Sequence, residues 1–174
     1  MEKKDKEIYK GLSDTDALTG LFNRRAFQAA VDETLLKRIS GVFIFIDVDN
    51  FKNYNDKYGH ANGDLCLKHF AAAMKKCFPK DSILGRYGGD EFVVYIKNAA
   101  PDDTHRYMDE FQREISHLMM SGGEYVTVSA SAGGAAFAGE GEDFVSLCRS
   151  ADNMLYDVKR NGKGTFKMKG AKNM

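Results

Sequence analysis

Residues 42–49 have the sequence VFIFIDVD, in which five consecutive apolar residues lead directly into two aspartates. A short continuous apolar run of this kind is typical of a strand that is buried on both faces of a sheet. Such a strand delivers the carboxylates that follow it to one rim of the sheet. Because a carboxylate beside apolar residues is costly to bury without a positive partner, we expect a cation near Asp47.

The elements on either side of this strand predict a helix-covered sheet. Residues 1–11 are interpreted as a polar helix or the end of one, and helices are further predicted over 24–39, 64–78, 101–119 and 142–160. Further strands are predicted over 83–87, 91–97, 125–137 and 165–168. Gly88-Gly89 indicates a hairpin between two of them, so the sheet is expected to be mixed or antiparallel rather than doubly wound. The fold class is therefore α/β or α+β, with a mixed central β-sheet surrounded by helices.

Composition excludes several classes of partner. The 174 residues contain 25 Lys and Arg and 25 Asp and Glu, which leaves a net charge of zero. Proteins that bind nucleic acids or membrane surfaces usually carry a basic excess, so we expect neither partner. No GxSxG, GxxxxGK[ST] or GxGxxG motif is present, so nucleophilic hydrolysis and the usual dinucleotide site lack support.

The cellular location is predicted from the cysteines and from what the chain lacks. Three cysteines without a CxxC pair indicate reduced thiols. No apolar run approaches the roughly 18 residues of a membrane span, and the charged start lacks the apolar core of a signal peptide. We therefore expect a cytoplasmic protein.

The segment after the buried strand contains the first candidate site. Asp47 offers hard oxygen ligands that suit Mg²⁺, and Lys52 is the nearest cation that could hold a phosphate. Asp49 has a competing role, because an aspartate at this position commonly caps the turn that follows.

The segment Arg86-Tyr87-Gly88-Gly89-Asp90-Glu91-Phe92 is the second candidate. Two glycines permit a tight turn and a close approach of ligand to backbone. Neighbouring strand residues point to opposite faces, so Asp90 and Glu91 can share one metal only if the backbone is irregular there. A plain hairpin turn with solvated acids is the alternative.

Two further groups could recognise a nucleotide. Asn55 and Asp64 together offer the acceptors that the edge of guanine requires, although Asp64 could simply lie in the first turn of a helix. Lys159 and Lys163 could bind triphosphate oxygens, or could offset the dipole at a helix C-terminus. His60 has no second His or Cys at ligand spacing, so a metal role is not favoured for it.

Together these segments resemble the GGDEF family of diguanylate cyclases. The matching blocks are DALTGLFNRRAF (16–27), FIDVDNFKNYNDKYGHANGDLCL (45–67), RYGGDEF (86–92), SASAGGA (129–135) and ADNMLYDVKRNGKG (151–164). The resemblance implies a nucleotide-cyclase or polymerase-palm-like sheet with a ferredoxin-like core. It implies condensation of two GTP into cyclic di-GMP with release of two pyrophosphates, at the interface of two domains that each hold one GTP.

The family motif also assigns roles to individual residues. It implies that Asp47, the Val48 carbonyl, Asp90 and Glu91 bind two Mg²⁺ or Mn²⁺ ions, and that Asp90 is the base for the attacking 3′-hydroxyl. Lys52 would stabilise charge on the phosphates in the transition state. The residues implied to bind GTP are Phe51, Asn55, His60, Asp64, Gly88, Gly89, Lys159 and Lys163.

Two departures from the family pattern matter. The family usually has arginine at position 163 and Asn-Arg at 164–165, whereas this chain has Lys163-Gly164-Thr165. Lysine lacks the bidentate fork of arginine, so GTP could bind more weakly. The RxxD product site of many members is replaced by Pro79 and Ser82, so we expect no product inhibition through it. The retained Asp64 favours GTP over ATP.

The expected organisation is a linker helix or N-terminal segment at 1–13, a GGDEF catalytic domain at 14–170 and a tail at 171–174. By the resemblance, the domain would be fused to or derived from a sensor-containing protein. It would need a homodimer for catalysis, and a transient one would suffice. The alternative function is a catalytically weak or inactive module that binds GTP and regulates a partner.

Overall fold

The computed structural model describes residues 14–169. The predictions for residues 1–13 and 171–174, including the helix over 1–11, lie outside the described residues. The strands are β1 (Phe22–Asn23), β2 (Gly41–Val48), β3 (Ile83–Arg86), β4 (Glu91–Lys97), β5 (Leu118–Met119), β6 (Tyr125–Val126), β7 (Ala130–Phe137) and β8 (Phe166–Lys169). The helices are α1 (Arg24–Leu36), α2 (Phe51–Tyr58), α3 (His60–Cys77), α4 (Pro101–Ile115) and α5 (Phe144–Arg160).

The strands form a mixed sheet, which confirms the predicted fold class. Six of them pair in the order β1-β3-β4-β2-β7-β8, and β5 pairs with β6 in a separate two-stranded sheet. The strand quoted first, β2, is central and runs antiparallel to both β4 and β7. The outer pairs β1–β3 and β7–β8 are parallel. The predicted hairpin between β3 and β4 is confirmed as an antiparallel pair.

Alternate residues of β2 enter two different cores, as a doubly buried strand requires. Val42, Ile44 and Ile46 pack into one cluster together with residues of α3 and α4. Phe43 and Phe45 pack into the other cluster, together with residues of α1 and α5. The helices therefore cover both faces of the sheet, and only the ends of the strands are left for chemistry.

Two predicted elements were wrong in extent around residue 120. The helix expected over 101–119 ends at Ile115, where the Ser116 hydroxyl donates to the Arg113 carbonyl instead of the helix continuing. The strand expected over 125–137 is divided, because β6 turns back to pair with β5 while β7 begins at Ala130. Both differences come from this small hairpin, whose tip is closed by a bond from the Met120 amide to the Glu124 carbonyl.

Other boundaries differ by a few residues, for local reasons. The helix expected to reach 39 ends at Leu36, just before Arg38 adopts a left-handed φ of 54°. The last helix begins at Phe144, because the Asp143 carboxylate caps it by accepting from the Ser146 amide. α3 begins at His60, earlier than the predicted residue 64, and α2 was not predicted at all.

Candidate active site

The predicted carboxylate rim forms at the end of the central strand. Asp47 of β2 lies in register with Glu91 of β4 on one side and Ser131 of β7 on the other. The expected cation is Lys159, whose Nζ lies 2.8 Å from an Asp47 carboxylate oxygen. Sequence reasoning had assigned Lys159 to phosphate and had not foreseen this contact.

A glycine explains why Lys159 reaches the rim. Gly133 lies in β7 under α5, and a Cβ there would meet the Ala151 carbonyl oxygen at 2.1 Å and the Leu155 amide nitrogen at 2.3 Å. Only a residue without a side chain lets the helix lie this close to the sheet. The last turn of α5, which carries Lys159, is thereby brought down onto Asp47.

The rim concentrates negative charge in a partly buried place. Burial raises the pKa of Asp47, against the opposing effect of Lys159, and the neighbouring charges of Asp90 and Asp49 raise it further. Burial likewise raises the pKa of Glu91, with added repulsion from Asp47 and Asp90. The rim therefore has an excess of negative potential that an added cation would relieve.

The Gly-Gly turn has the irregular backbone that a shared site requires. Asp90 lies just before β4, and its carbonyl accepts from the Val48 amide at 3.1 Å. The amides of both Tyr87 and Gly88 donate to the Glu91 carbonyl. A Cβ on Gly88 would come within 2.6 Å of a Glu91 carboxylate oxygen, so glycine at this position leaves room for that side chain.

An arginine that sequence reasoning left without a role fixes this turn. Arg86 donates to the carbonyl oxygens of Gly88 at 3.2 Å and of Gly89 at 2.7 Å. The same guanidinium forms an ion pair with Asp16 at 3.1 Å, and Asp16 also accepts from the amide and hydroxyl of Thr19. These hydrogen bonds outweigh burial and lower the pKa of Asp16. Gly88 and Gly89 lie within the same motif as Arg86, whereas Asp16 is 70 residues away, so the sequence could have indicated only the contact with the turn.

A second polar region lies at the junction of α2 and α3. Asn55 projects toward Gly63, where a Cβ would lie only 1.8 Å from the Asn55 amide oxygen and 3.4 Å from the Phe51 ring. This amide oxygen is buried and has no hydrogen-bond partner within residues 14–169. Gly63 directly precedes Asp64, so the structure brings Phe51, Asn55 and the turn that carries Asp64 together.

Four other predicted site residues are exposed around these two regions. Lys52 lies in the first turn of α2, while His60 and Asp64 lie in the first turns of α3. Lys163 follows α5 and donates from its Nζ to the Asn50 amide oxygen at 2.8 Å. It therefore contacts a neutral group at the end of the rim.

Asp49 does not cap the following turn, which corrects the competing expectation for it. Asn50 is the residue before α2 and makes no side-chain capping bond. Asp49 instead accepts from the hydroxyls of Ser129 and Ser131 and from the Gly164 amide. Its acceptors face β7 and the turn after α5.

The carboxylate oxygens at the rim are of the type that suits a divalent cation. Within residues 14–169, no three His, Cys, Asp or Glu side chains are grouped closely enough to form a metal site as they stand. The Asp47 carboxylate is paired with Lys159, and burial, with a smaller contribution from the neighbouring carboxylates, raises the pKa of both Asp47 and Glu91. Carboxylate oxygens in this state are the ligands that Mg²⁺ prefers.

The architecture defines a class of protein: a mixed sheet covered by helices, with acids at the end of its central strand and a second polar region beside them, as in palm-like nucleotide cyclases. The model of the family described as "Diguanylate cyclase, GGDEF domain" matches residues 13–165. The chain belongs to the GGDEF-domain diguanylate cyclase family, which confirms the resemblance seen in its motifs.

Individual relatives agree with this assignment. Cyclic di-GMP phosphodiesterase PdeR of Escherichia coli is 33% identical over 95% of this chain and 25% of its own length. Diguanylate cyclase A of Treponema denticola is 30% identical over 87% of this chain and 43% of its own. The coiled coil and GGDEF domain of DgcB from Caulobacter crescentus, solved in complex with c-di-GMP, has a TM-score of 0.86 at 27% identity, covering 97% of this chain and 93% of that one.

The chain spans less than half the length of these two curated relatives. In the part of the chain that the structure describes, no helix is both long and apolar enough to cross a membrane.

Proposed function

We propose that this domain condenses two GTP molecules into cyclic di-GMP and releases two pyrophosphates. The observation that carries the proposal is the juxtaposition at one rim of Asp47, Glu91 and Lys159. An acid-rich rim with an adjacent cation suits a reaction in which a polyphosphate arrives with its own metal ions. The retained guanine-facing pair Asn55 and Asp64 supports GTP as the substrate.

The acids of the rim would hold two Mg²⁺ or Mn²⁺ ions, through Asp47, the Val48 carbonyl, Asp90 and Glu91. Such ions, when bound, sharpen the attacking oxygen and stabilise the leaving one. Asp90 would accept the proton of the attacking 3′-hydroxyl, the role that the family motif implies for it. Arg86 would keep this turn in place by holding the Gly88 and Gly89 carbonyls.

The cations would bind the polyphosphate. Lys159 now neutralises Asp47. With a metal ion bound by Asp47, the Lys159 ammonium would be available to bind the phosphates. Lys52 and Lys163, both exposed, would add positive charge on the same side and stabilise the in-line displacement.

The polar region at the junction of α2 and α3 would form the pocket that binds the base. The Asn55 amide oxygen is an acceptor that has no partner among the described residues, and guanine carries the donors to satisfy it. Asp64 would accept from the same edge of the base. Phe51 and His60 would line the pocket, and Gly88 and Gly89 would allow the phosphates to approach the backbone.

Each domain would contribute one GTP, so catalysis needs two domains face to face. We expect the rate of product formation to rise faster than linearly with protein concentration, as for a transient homodimer. A rate strictly proportional to concentration would contradict this.

The test is to incubate the purified chain with Mg²⁺ and GTP and to follow cyclic di-GMP by chromatography. Product that disappears in Asp90→Ala supports the cyclase. Tight GTP binding without product would support the second candidate, a regulatory module that binds GTP without turnover. That candidate is favoured by the 163–165 departure and by the similarity to PdeR, which is a phosphodiesterase by name.

Further proposals concern the context of the domain. We assign 14–170 to the catalytic domain, 1–13 to a linker from a sensor-containing protein and 171–174 to a tail. The three cysteines, all free, support a cytoplasmic location.

Pro79 and Ser82 in place of the RxxD site support activity that persists when product accumulates. Excess cyclic di-GMP that binds, and loses this binding when Pro79 or Ser82 is substituted, would refute the last proposal.

A further inference from the structure

We propose that Asp49 is a positioning residue that sets the two phosphate-binding lysines, Lys159 and Lys163, and so determines affinity for the triphosphate of the nucleotide. The inference rests on the proposed function, since it assigns those lysines to GTP. Asp49 itself would touch neither the nucleotide nor a metal ion.

The Asp49 carboxylate joins three separate parts of the chain. One oxygen accepts from the Ser131 hydroxyl at 2.6 Å. The other accepts from the Ser129 hydroxyl at 2.7 Å and from the Gly164 amide at 3.0 Å. Asp49 therefore ties the end of β2 to the beginning of β7 and to the turn between α5 and β8.

The residues on either side of Asp49 contact the same segment of the chain as Asp49 does. Residues 47–50 face residues 159–164 through Asp47 with Lys159, Asp49 with the Gly164 amide, and Asn50 with Lys163. Asp49 makes the only one of these three contacts that reaches the backbone of the turn. It therefore fixes the main chain from which Lys163 projects, directly after the helix end that carries Lys159.

The backbone of this turn has a conformation that its surroundings must impose. Gly162, Lys163 and Gly164 all have positive φ, at 120°, 63° and 65°. Asn50, the partner of Lys163, is also left-handed at 56°. Residues other than glycine adopt this region reluctantly, and its appearance at two contacting residues indicates a constrained site. The Lys163 amide donates to the Val158 carbonyl, and the Gly164 amide is shared between the Asp49 carboxylate and the Ser131 hydroxyl. Asp49 supplies the charged acceptor of this set and also holds the Ser131 hydroxyl.

The chemistry of the tie requires a carboxylate. Three donors converge on Asp49, and an ionised carboxylate accepts at both oxygens. An asparagine of the same size has one acceptor oxygen and turns an NH₂ group toward a donor. Asp49→Asn should therefore loosen the turn without leaving a cavity.

The experiment compares two nucleotides by calorimetric titration in Mg²⁺ buffer. The first is 3′-deoxy-GTP, which has the triphosphate but no attacking hydroxyl, and the second is GMP, which lacks the β- and γ-phosphates. We expect Asp49→Asn to raise the Kd for 3′-deoxy-GTP about tenfold and to leave the Kd for GMP within about twofold. Asp157→Asn is the matched control, because Asp157 lies on α5 and faces Lys167 instead of the turn.

The outcomes separate the inference from the proposed function. Equal weakening of both nucleotides, or no change of either, overturns the positioning role while GTP binding by the unmodified protein stands. An unmodified protein that does not prefer the triphosphate overturns both proposals. If circular dichroism shows that Asp49→Asn does not fold, Ser129→Ala replaces it, and we expect a selective loss of about threefold because one of the three donors is removed.

Discussion

The rim around Asp47 and the pocket around Asn55 differ in whether their polar groups have partners within the protein. At the rim, Asp47 is paired with Lys159, and Asp49 accepts three hydrogen bonds. On α2, beside the rim, the Asn55 amide oxygen and the Tyr54 hydroxyl are buried, and neither has a hydrogen-bond partner within residues 14–169. One region is satisfied internally and the other is not.

Because of this difference, we expect ligand binding to have different energetic consequences in the two regions. A metal ion at the rim would compete with Lys159 for the Asp47 carboxylate. A donor from a ligand in the pocket would satisfy the Asn55 oxygen, which has no partner within residues 14–169, so we expect a larger gain in free energy per hydrogen bond there. We therefore expect the pocket to determine which nucleotide binds and the rim to determine what happens to it.

The largest expected effect is at the rim. Asp90→Ala should lower the rate of cyclic di-GMP formation by about 10³-fold, because it removes a charge that faces the reacting groups. GTP affinity should change far less, since the base pocket is untouched. Asp103→Ala, on the exposed side of α4, is the control. Turnover that survives in Asp90→Ala would mean that the rim is not the catalytic centre.

A smaller effect is expected from crowding the pocket. The Cβ of Gly63→Ala would lie 1.8 Å from the Asn55 amide oxygen and must push that side chain away. We expect the kcat/KM for GTP to fall about 30-fold and the preference for GTP over ATP to shrink, since a misplaced acceptor no longer selects guanine.

Gly122→Ala is the matched control for Gly63→Ala, because a Cβ at Gly122 would meet nothing within 4 Å. If Gly63→Ala keeps its nucleotide preference, Asn55 does not read the base, and the contrast between the two regions fails.

Local pattern was sufficient for the rim but not for the pocket. Five apolar residues followed by Asp47 predicted both a doubly buried strand and a nearby cation, and the structure has both. The identity of that cation depends on Gly133, which lets α5 approach the sheet, and nothing in the local sequence around Lys159 indicates this.

The pocket depends on α2, which the periodicity did not predict. None of its residues is fully buried, and it begins after the left-handed Asn50 without a side-chain cap. Such a helix is held by packing of Phe51 and Tyr54 on the core, which is tertiary information. Asn55 and Asp64 could be proposed from the motif, whereas their meeting through Gly63 could not.

The next effect concerns stability and its pH dependence at the rim. Because burial and the charges of Asp47 and Asp90 raise the pKa of Glu91, the folded state binds this proton more tightly than the unfolded chain. Ionised Glu91 therefore destabilises the fold at pH 7, and this cost disappears as the pH falls below its usual value of about 4.3.

Glu91→Gln should accordingly raise the free energy of unfolding at pH 7, by at most about 1 kcal/mol because solvent screens part of the charge. Urea unfolding at pH 7 and pH 4 measures this, with Glu124→Gln, an exposed glutamate, as the control. The gain should vanish at pH 4. A variant less stable than the parent at pH 7 would show that Glu91 is already compensated.

The smallest effect should come from the other unpartnered group of α2, the Tyr54 hydroxyl. Burial raises the pKa of Tyr54 to about 12 and keeps its hydroxyl neutral, while its ring stacks with Phe51. Tyr54→Phe keeps the ring and removes a hydroxyl whose desolvation no hydrogen bond offsets, so the free energy of unfolding should change by less than about 1 kcal/mol. The Kd for GTP, measured by calorimetry, should stay within about twofold if Asn55 alone awaits the ligand. A tenfold weakening would instead make Tyr54 a second hydrogen-bonding group for the base. The ligand would then satisfy two unpartnered groups of α2, whereas Asp47 and Asp49 of the rim already have partners within the protein.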